Sequence, residues 1–142
     1  GSQSIVVSID VQQRRKGLLG GKHGEVIVGC GQQRTRLDPV DYARQMVERG
    51  AGELLLTSID RDGTFCGYDL DLIRRVSDAV DVPVVACGGA GNLQHMVEAI
   101  GAGASGAGSG SMFVYQGAHR SVLINYPDRA VLDELFGHET MV

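Results

Sequence analysis

A chain of 142 residues, 43% of them hydrophobic, with a mean hydropathy of −0.01, holds enough apolar material for one domain with a core. The formal net charge of −4 argues against a dedicated nucleic-acid surface. No apolar run approaches the roughly 18 residues of a membrane helix, and no signal-peptide pattern opens the chain.

Gly1-Ser2 reads as a cloning scar, so residues 1–3 are set aside, residues 4–137 form the domain, and residues 138–142 are a tail expected to fray. The first strand is Ile5–Asp10, half alternating and half solidly apolar. A polar stretch, Gln12 to Gly24, follows, and Glu25–Gly29 reads as one arm of a short hairpin above the strand ends. Asp38-Pro39 opens a helix as N-cap and N1 proline. Val40, Ala43, Met46 and Val47 are its buried stripe, and Gly50 closes it. The second strand is Glu53–Asp60, followed by the turn Arg61–Thr64 and a helix from about Asp69 that turns Leu72, Ile73, Val76 and Ala79 inward. The third strand is Val82–Gly89, with Pro83 tolerated at its start. Asn92 caps a helix with Leu93, Met96, Val97 and Ile100 on its apolar face. The fourth strand, Ala104–Ser111, carries so many glycines that close packing or a ligand must account for them. A short helix over about Asp128 to Phe136 ends the domain.

Strand and helix alternate four times with short connections, which argues parallel pairing and right-handed crossovers. The fold class is therefore α/β, a (β/α)4 half-barrel equivalent to the C-terminal half of a (β/α)8 TIM barrel, parallel strands flanked by helices. A closed barrel takes roughly 250 residues, and half of one leaves two sheet edges open. Open parallel edges disfavour a monomer, so self-association as a dimer or higher assembly is expected.

Chemistry in such barrels sits at the C-terminal ends of the strands. Asp10, at the end of the first strand, reads equally as a rim carboxylate or as a turn cap. Asp60, Arg61 and Asp62 crowd one turn, and one carboxylate is expected to partner Arg61. Asp10 and Asp62 together suit general acid–base work at a ring-closing centre. Cys87-Gly-Gly-Ala-Gly91 precedes the Asn92-capped helix, whose backbone N–H groups and dipole would favour an anion, and Gly110-Ser111 adds to the same place. In this order the turns favour a phosphate grip made by Gly88, Gly89, Gly110 and Ser111. The basic patches Arg14–Lys16 and Arg34–Arg36 offer further phosphate attraction. Cys87 has no identifiable base and is not read as a nucleophile. His23, His95, His119 and His138 are scattered and are read as surface residues. Cys30, Cys66 and Cys87 form no CxxC pair and leave one thiol over, which fits free thiols in a cytoplasmic protein. Nothing has zinc-ligand spacing, so neither a metal nor another cofactor is expected.

Gly50–Thr64, Gly67-Tyr-Asp69 and Cys87–Gly91 resemble the HisF-like cyclase subunit of imidazole glycerol phosphate synthase. Ser111–Val114 and Val122–Pro127 are more similar to a paralogous branch associated with amidation of surface-polysaccharide sugars. The likeness runs from about Ser4 to Pro127. It implies a barrel lyase of the histidine pathway that takes ammonia from a glutaminase partner and cyclises a phosphorylated ribulosyl-aminoimidazole substrate. It also implies that Asp10 is the catalytic aspartate of the fifth barrel strand and Asp62 an active-site aspartate after the sixth. Gly63, Gly89 and Ser111 then hold a substrate phosphate, with Thr57 and Cys87 beside them, and Glu53 stands at the base of the ammonia channel. The family's first four units are not matched, and with them go the other catalytic aspartate, the other phosphate grip and most of the channel gate. Gly29–Arg34 departs from the usual loop after strand five, and Ser105-Gly106 stands where strand eight usually has an Asp.

The expectation is a phosphate-binding, self-associating, cyclase-like half-barrel that is inactive alone. Its partners are a phosphorylated small molecule or inorganic phosphate and a glutaminase subunit or N-terminal half; nucleic acid and membrane are excluded. The alternatives are a non-catalytic truncated or engineered half-barrel assembly, or one half of an amidotransferase partner in sugar amidation.

Overall fold

The computed structural model of the chain describes residues 4–15, 20–116, 121–122 and 127–137. Four parallel strands make its spine, β1 (Val6–Arg15), β4 (Glu53–Ser58), β5 (Val84–Cys87) and β6 (Gly106–Ala107). Two more strands, β2 (Lys22–Val28) and β3 (Gln33–Arg34), extend the sheet beyond β1 in the order β3-β2-β1-β4-β5-β6. The helices α1 (Pro39–Glu48), α2 (Leu70–Ser77) and α3 (Leu93–Gly101) follow β3, β4 and β5 in the chain. A one-turn helix α4 (Ser111–Val114), a small hairpin β7 (Tyr115–Gln116) and β8 (Ser121–Val122), and α5 (Arg129–Phe136) complete it. The expected alternating α/β architecture is present, and the last helix lies where its sequence pattern put it.

The core lies between the parallel strands and α1 to α3. Ile9, Leu54, Leu56, Val84 and Ala86 are buried from the sheet, and Ala43, Leu72, Ile73, Val76, Met96 and Ala99 from the helices. Along β4 burial alternates strictly. Leu54, Leu56 and Ser58 are buried, while Glu53, Leu55 and Thr57 are half-buried on the other face. The caps act as their sequences predict. The Asp38 carboxylate accepts from the Val40 and Asp41 amides at 2.8 and 3.3 Å, Asp69 from Leu72 at 3.1 Å, and Asn92 from His95 at 3.0 Å.

Three local expectations are corrected. The first strand does not stop at Asp10 but runs to Arg15, serving two partners of opposite sense. Val6–Val11 pair parallel with β4, and Asp10–Arg15 pair antiparallel with Ile27–Lys22. The polar stretch after Asp10 thus contains both arms of a hairpin. Its polarity reflects exposure near the tip, a case where alternation is too weak to mark a strand. The open edge of the sheet is consequently half covered: β2 shields the upper part of β1, while Ile5 and Val6 below it remain 50% and 56% exposed. The fourth strand is two residues long rather than eight. Ser105 and Gly108 each donate their N–H to β5 at 2.8 Å, after which the chain turns at Ser109-Gly110 into α4.

Glu25 fixes the added hairpin. It is only 2% exposed, and its Oε2 accepts from Arg34 Nη2 at 2.9 Å and Nε at 3.2 Å. Its Oε1 takes the Arg36 amide at 2.8 Å, and Arg14 Nε stands 3.7 Å from Oε2. Of the two basic patches, the Arg14 and Arg34 side chains are thus engaged with a carboxylate, Arg34 while still exposed, whereas Arg36 gives only its amide and Lys16 lies outside the described residues. The Arg34 hydrogen bonds, helped by the Arg36 amide and the nearby guanidinium charges, hold the Glu25 carboxyl below its ordinary value of 4.5 against the opposing effect of burial. A depressed carboxylate stabilises the fold above its unfolded pKa and loses that contribution as pH falls through the folded value. Glu25→Gln should therefore unfold at lower denaturant than the parent at neutral pH. The gap should narrow as pH drops below about 4.5, measured by urea titrations followed by circular dichroism.

Candidate active site

The parallel register builds the site. Asp10 on β1 pairs with Thr57 on β4, and Thr57 with Cys87 on β5, so the three side chains form one row on the face away from the helices. The row continues to Gly108, just past β6, where an added Cβ would come within 2.8 Å of the Cys87 sulfur. Next to this row a cleft of about 200 Å³ opens beyond the strand ends. Thr57, Asp62, Gly63, Cys87, Gly88, Gly89, Gly110 and Ser111 line it, eight of the ten residues singled out from the sequence. Asp10 is half-buried beside Thr57 without lining the cleft. Glu53 sits at the opposite end of β4, four residues and about 13 Å from Thr57. It faces the same side of the sheet but belongs to its bottom. Ala90, Gly108 and Ser109 also line the cleft and were missed by sequence reading. Their backbones contribute, so no side-chain chemistry marked them.

Glycines and other small residues make up most of the cleft lining. Among the described residues, the N–H groups of Gly88, Gly89, Ala90, Ser109, Gly110 and Ser111 find no protein acceptor, whereas Gly91 donates to His95 Nδ1 at 3.1 Å. Unpaired amides gathered in a concave turn suit an oxyanion. The amide end of α3 plays a smaller part than its sequence suggests. Asn92 and His95 satisfy the amides of His95 and Gly91, and the cleft stops at Ala90. His95 is thus an acceptor for this loop rather than a bystander. Glycine is obligatory at two points. Gly88 and Gly89 have φ of +88° and +109°, and a Cβ there would meet the Ser58 oxygen at 2.5 Å and the Gly67 oxygen at 2.2 Å.

The acidic turn sorts itself. Asp60 Oδ2 accepts from the Gln13 amide, tying the β1–β2 hairpin to the end of β4. Arg61 Nη1 donates to the Gly67 carbonyl at 3.2 Å, so its partner is backbone instead of a neighbouring carboxylate. Asp62 is the carboxylate left facing the cleft. Burial pushes the Cys87 thiol up, and the Asp62 charge pushes it further, against a lowering hydrogen bond from the Gly108 amide. Cys87 therefore stays protonated near neutrality and serves as a wall. His23 is exposed, and His119 and His138 lie outside the described residues. No cluster of three or more His, Cys, Asp or Glu among the described residues is arranged to hold a metal, and no helix among them is long and apolar enough to cross a membrane.

The thiol assignment is directly testable. In iodoacetamide at pH 8, Cys30 and Cys66, both exposed, should alkylate first, and Cys87, half-buried and held protonated, should lag well behind them by peptide mass spectrometry. Equal rates would contradict the protonated, half-buried wall.

The histidine biosynthesis protein family matches residues 1–120. A Leptospira borgpetersenii protein, named provisionally as imidazole glycerol phosphate synthase subunit HisF, is 41% identical over 137 residues, 96% of this chain and 52% of its own length. A Leptospira interrogans protein of the same provisional name is 44% identical over the same extent. The imidazole glycerol phosphate synthase subunit HisF of Pyrobaculum aerophilum is 50% identical over 116 residues, 82% of this chain and 44% of its own. The chain thus spans about half the length of the curated relatives it matches. With the strand-end row and glycine-rich cleft already in place on a partial barrel sheet, the match along most of the sequence shows that the chain belongs to the histidine biosynthesis protein family, as a HisF-like member.

Proposed function

We propose that this chain supplies one half of a HisF-like cyclase site: a phosphate grip at the cleft and two carboxylates for proton transfer, completed by a second half-barrel. The observation that carries the reading is the set of six unpaired backbone amides around a cleft of about 200 Å³ that Asp62 also lines. A phosphate there anchors one end of the substrate, leaving the rest to extend across the sheet face toward Thr57 and Asp10. The substrate class suggested by the relatives is a phosphorylated ribulosyl-aminoimidazole, whose C–N bond is cleaved as ammonia enters and an imidazole ring closes. Asp10 and Asp62 share the proton traffic, one accepting from the attacking nitrogen and the other donating to the leaving one. Glu53, at the bottom of the sheet, stands where ammonia from a glutaminase partner would enter. No cofactor is needed for this chemistry.

The second half is proposed to be another copy. The sheet face away from the helices is half-bare at Leu55 and Val85, and parallel sheets are stable with both faces covered. Facing copies would bring two Asp10 side chains about one axis. A single half, with one such aspartate, is proposed to be inactive.

Titration of inorganic phosphate, followed by ³¹P NMR or calorimetry, tests the grip. The parent should bind, and Gly89→Val should lose at least tenfold in affinity, because the added side chain drives the loop off the Gly67 carbonyl. Unaltered affinity would sink the grip. Light scattering on a sizing column tests the assembly, expected to give twice the chain mass or more. In any assembly that turns over, Asp10→Asn should abolish turnover at unchanged mass; a monomer, or full turnover in that variant, would overturn this part.

A further inference from the structure

The cleft is made by two chain segments, 87–90 and 108–111, that depart from different strands, and a third segment joins them. Gly67 donates its amide to the Gly89 carbonyl at 2.7 Å. The next residue, Tyr68, donates its hydroxyl to the Gly108 carbonyl at 2.9 Å across 40 positions of sequence. Tyr68 is 3% exposed and does not line the cleft. Arg61 holds the same corner from behind through the Gly67 carbonyl, and the Gly89 backbone is pressed against that carbonyl so closely that no Cβ fits. Asp62 and Gly63, also in the cleft, belong to the loop that this corner ends.

We propose that the Gly67-Tyr68 corner is a latch that sets the two amide-bearing segments in register, making Tyr68 a positioning residue for phosphate binding that never touches the ligand. The inference rests on the phosphate reading above and adds to it a residue remote from the anion. The physical reason is that backbone amides bind an oxyanion only when several converge on one point. Gly88–Ala90 and Ser109–Ser111 hang from β5 and β6, whose pairing is two residues long on the β6 side. That ladder is too short to fix the turns beyond it, and the Tyr68 hydroxyl supplies the missing constraint. Burial, and secondarily the neighbouring Cys87, push the Tyr68 hydroxyl up to about 12, so it remains a donor throughout the neutral range.

Tyr68→Phe removes one hydroxyl and leaves the ring in its place. Calorimetric titration of the whole chain with inorganic phosphate should show affinity weakened about fivefold, the usual worth of one neutral hydrogen bond. Tyr42→Phe, a hydroxyl deletion on α1, should leave the affinity unchanged. In ¹⁵N spectra of Tyr68→Phe the Gly108–Ser111 amides should shift while those of α1 do not. A second measurement uses the unaltered chain: exchange of the Gly67 amide proton should slow when phosphate saturates the site. Parent binding with equal affinity in Tyr68→Phe, or Gly67 exchange indifferent to phosphate, overturns the latch and leaves the grip standing. A parent that binds no phosphate overturns both.

Discussion

One-sided burial of a parallel sheet governs everything else in this molecule. Because the helices pack against one face, period-two alternation divides each strand into residues that build the core and residues that do not. On β4 the division puts Leu54 and Leu56 under the helices and leaves Leu55 and Thr57 on the other face. On β1 it buries Ile9 and Val11 and leaves Asp10 between them pointing the other way. Parallel pairing then aligns what alternation has selected, so Asp10, Thr57 and Cys87 meet in one row though they are far apart in sequence. A shift of one residue in any strand would bury a carboxylate or expose a core side chain, which is why the row can be held by packing alone.

Much of this was legible in the sequence, and for identifiable reasons. The helix starts carried explicit caps at Asp38, Asp69 and Asn92, each of which accepts the amide its position predicts. The cleft residues were legible because glycines at strand ends have few other uses, and Gly88 and Gly89 adopt the positive φ that justifies them. The hairpin was only half legible. Glu25–Gly29 was seen as an arm, but Gln12–Arg15 look like loop because their partners are polar and their stabilising contact is a buried Glu25 with distant arginines, a tertiary fact. The brevity of β6 was hidden for another reason: the strand–helix alternation calls for a fourth strand there, though glycines of low strand propensity fill the run. The role of Arg61 was misjudged because charge suggests a carboxylate partner, whereas a nearby carbonyl was geometrically closer to hand.

The loop after β4 deserves to be seen as the second organiser, after the sheet. Its Asp60 end takes the Gln13 amide from the hairpin, its middle offers Asp62 and Gly63 to the cleft, and its far end meets both glycine turns through Gly67 and Tyr68. One short segment therefore touches the hairpin, the cleft and both glycine turns. The glycines of the Cys87–Gly91 turn are the other side of that arrangement. Ser58, Phe65 and Gly67 present carbonyl oxygens within 2.5 Å of where side chains at Gly88, Gly91 and Gly89 would begin. The turn is glycine-rich because this loop lies against its back, whatever the proposed anion adds at its front.

That constraint bears on how the proposed grip would attract an anion at all. Among the described residues no Lys or Arg lines the cleft, and the acidic side chain that does, Asp62, is of the wrong sign. With Cys87 kept protonated, no second negative charge is added. In the proposed grip, attraction would come from backbone N–H dipoles, each weak and short in reach, so affinity would depend on their convergence rather than on net charge. A site of this kind is insensitive to salt compared with a cationic one, and sensitive to displacements of a few tenths of an ångström. Positional precision is what a rigid loop, a buried tyrosine and glycines without side-chain freedom provide. Under the proposed grip, the features that look structural in this fold would be the binding determinants, and the proposed acid–base pair, Asp10 and Asp62, would depend on them for where the substrate lies.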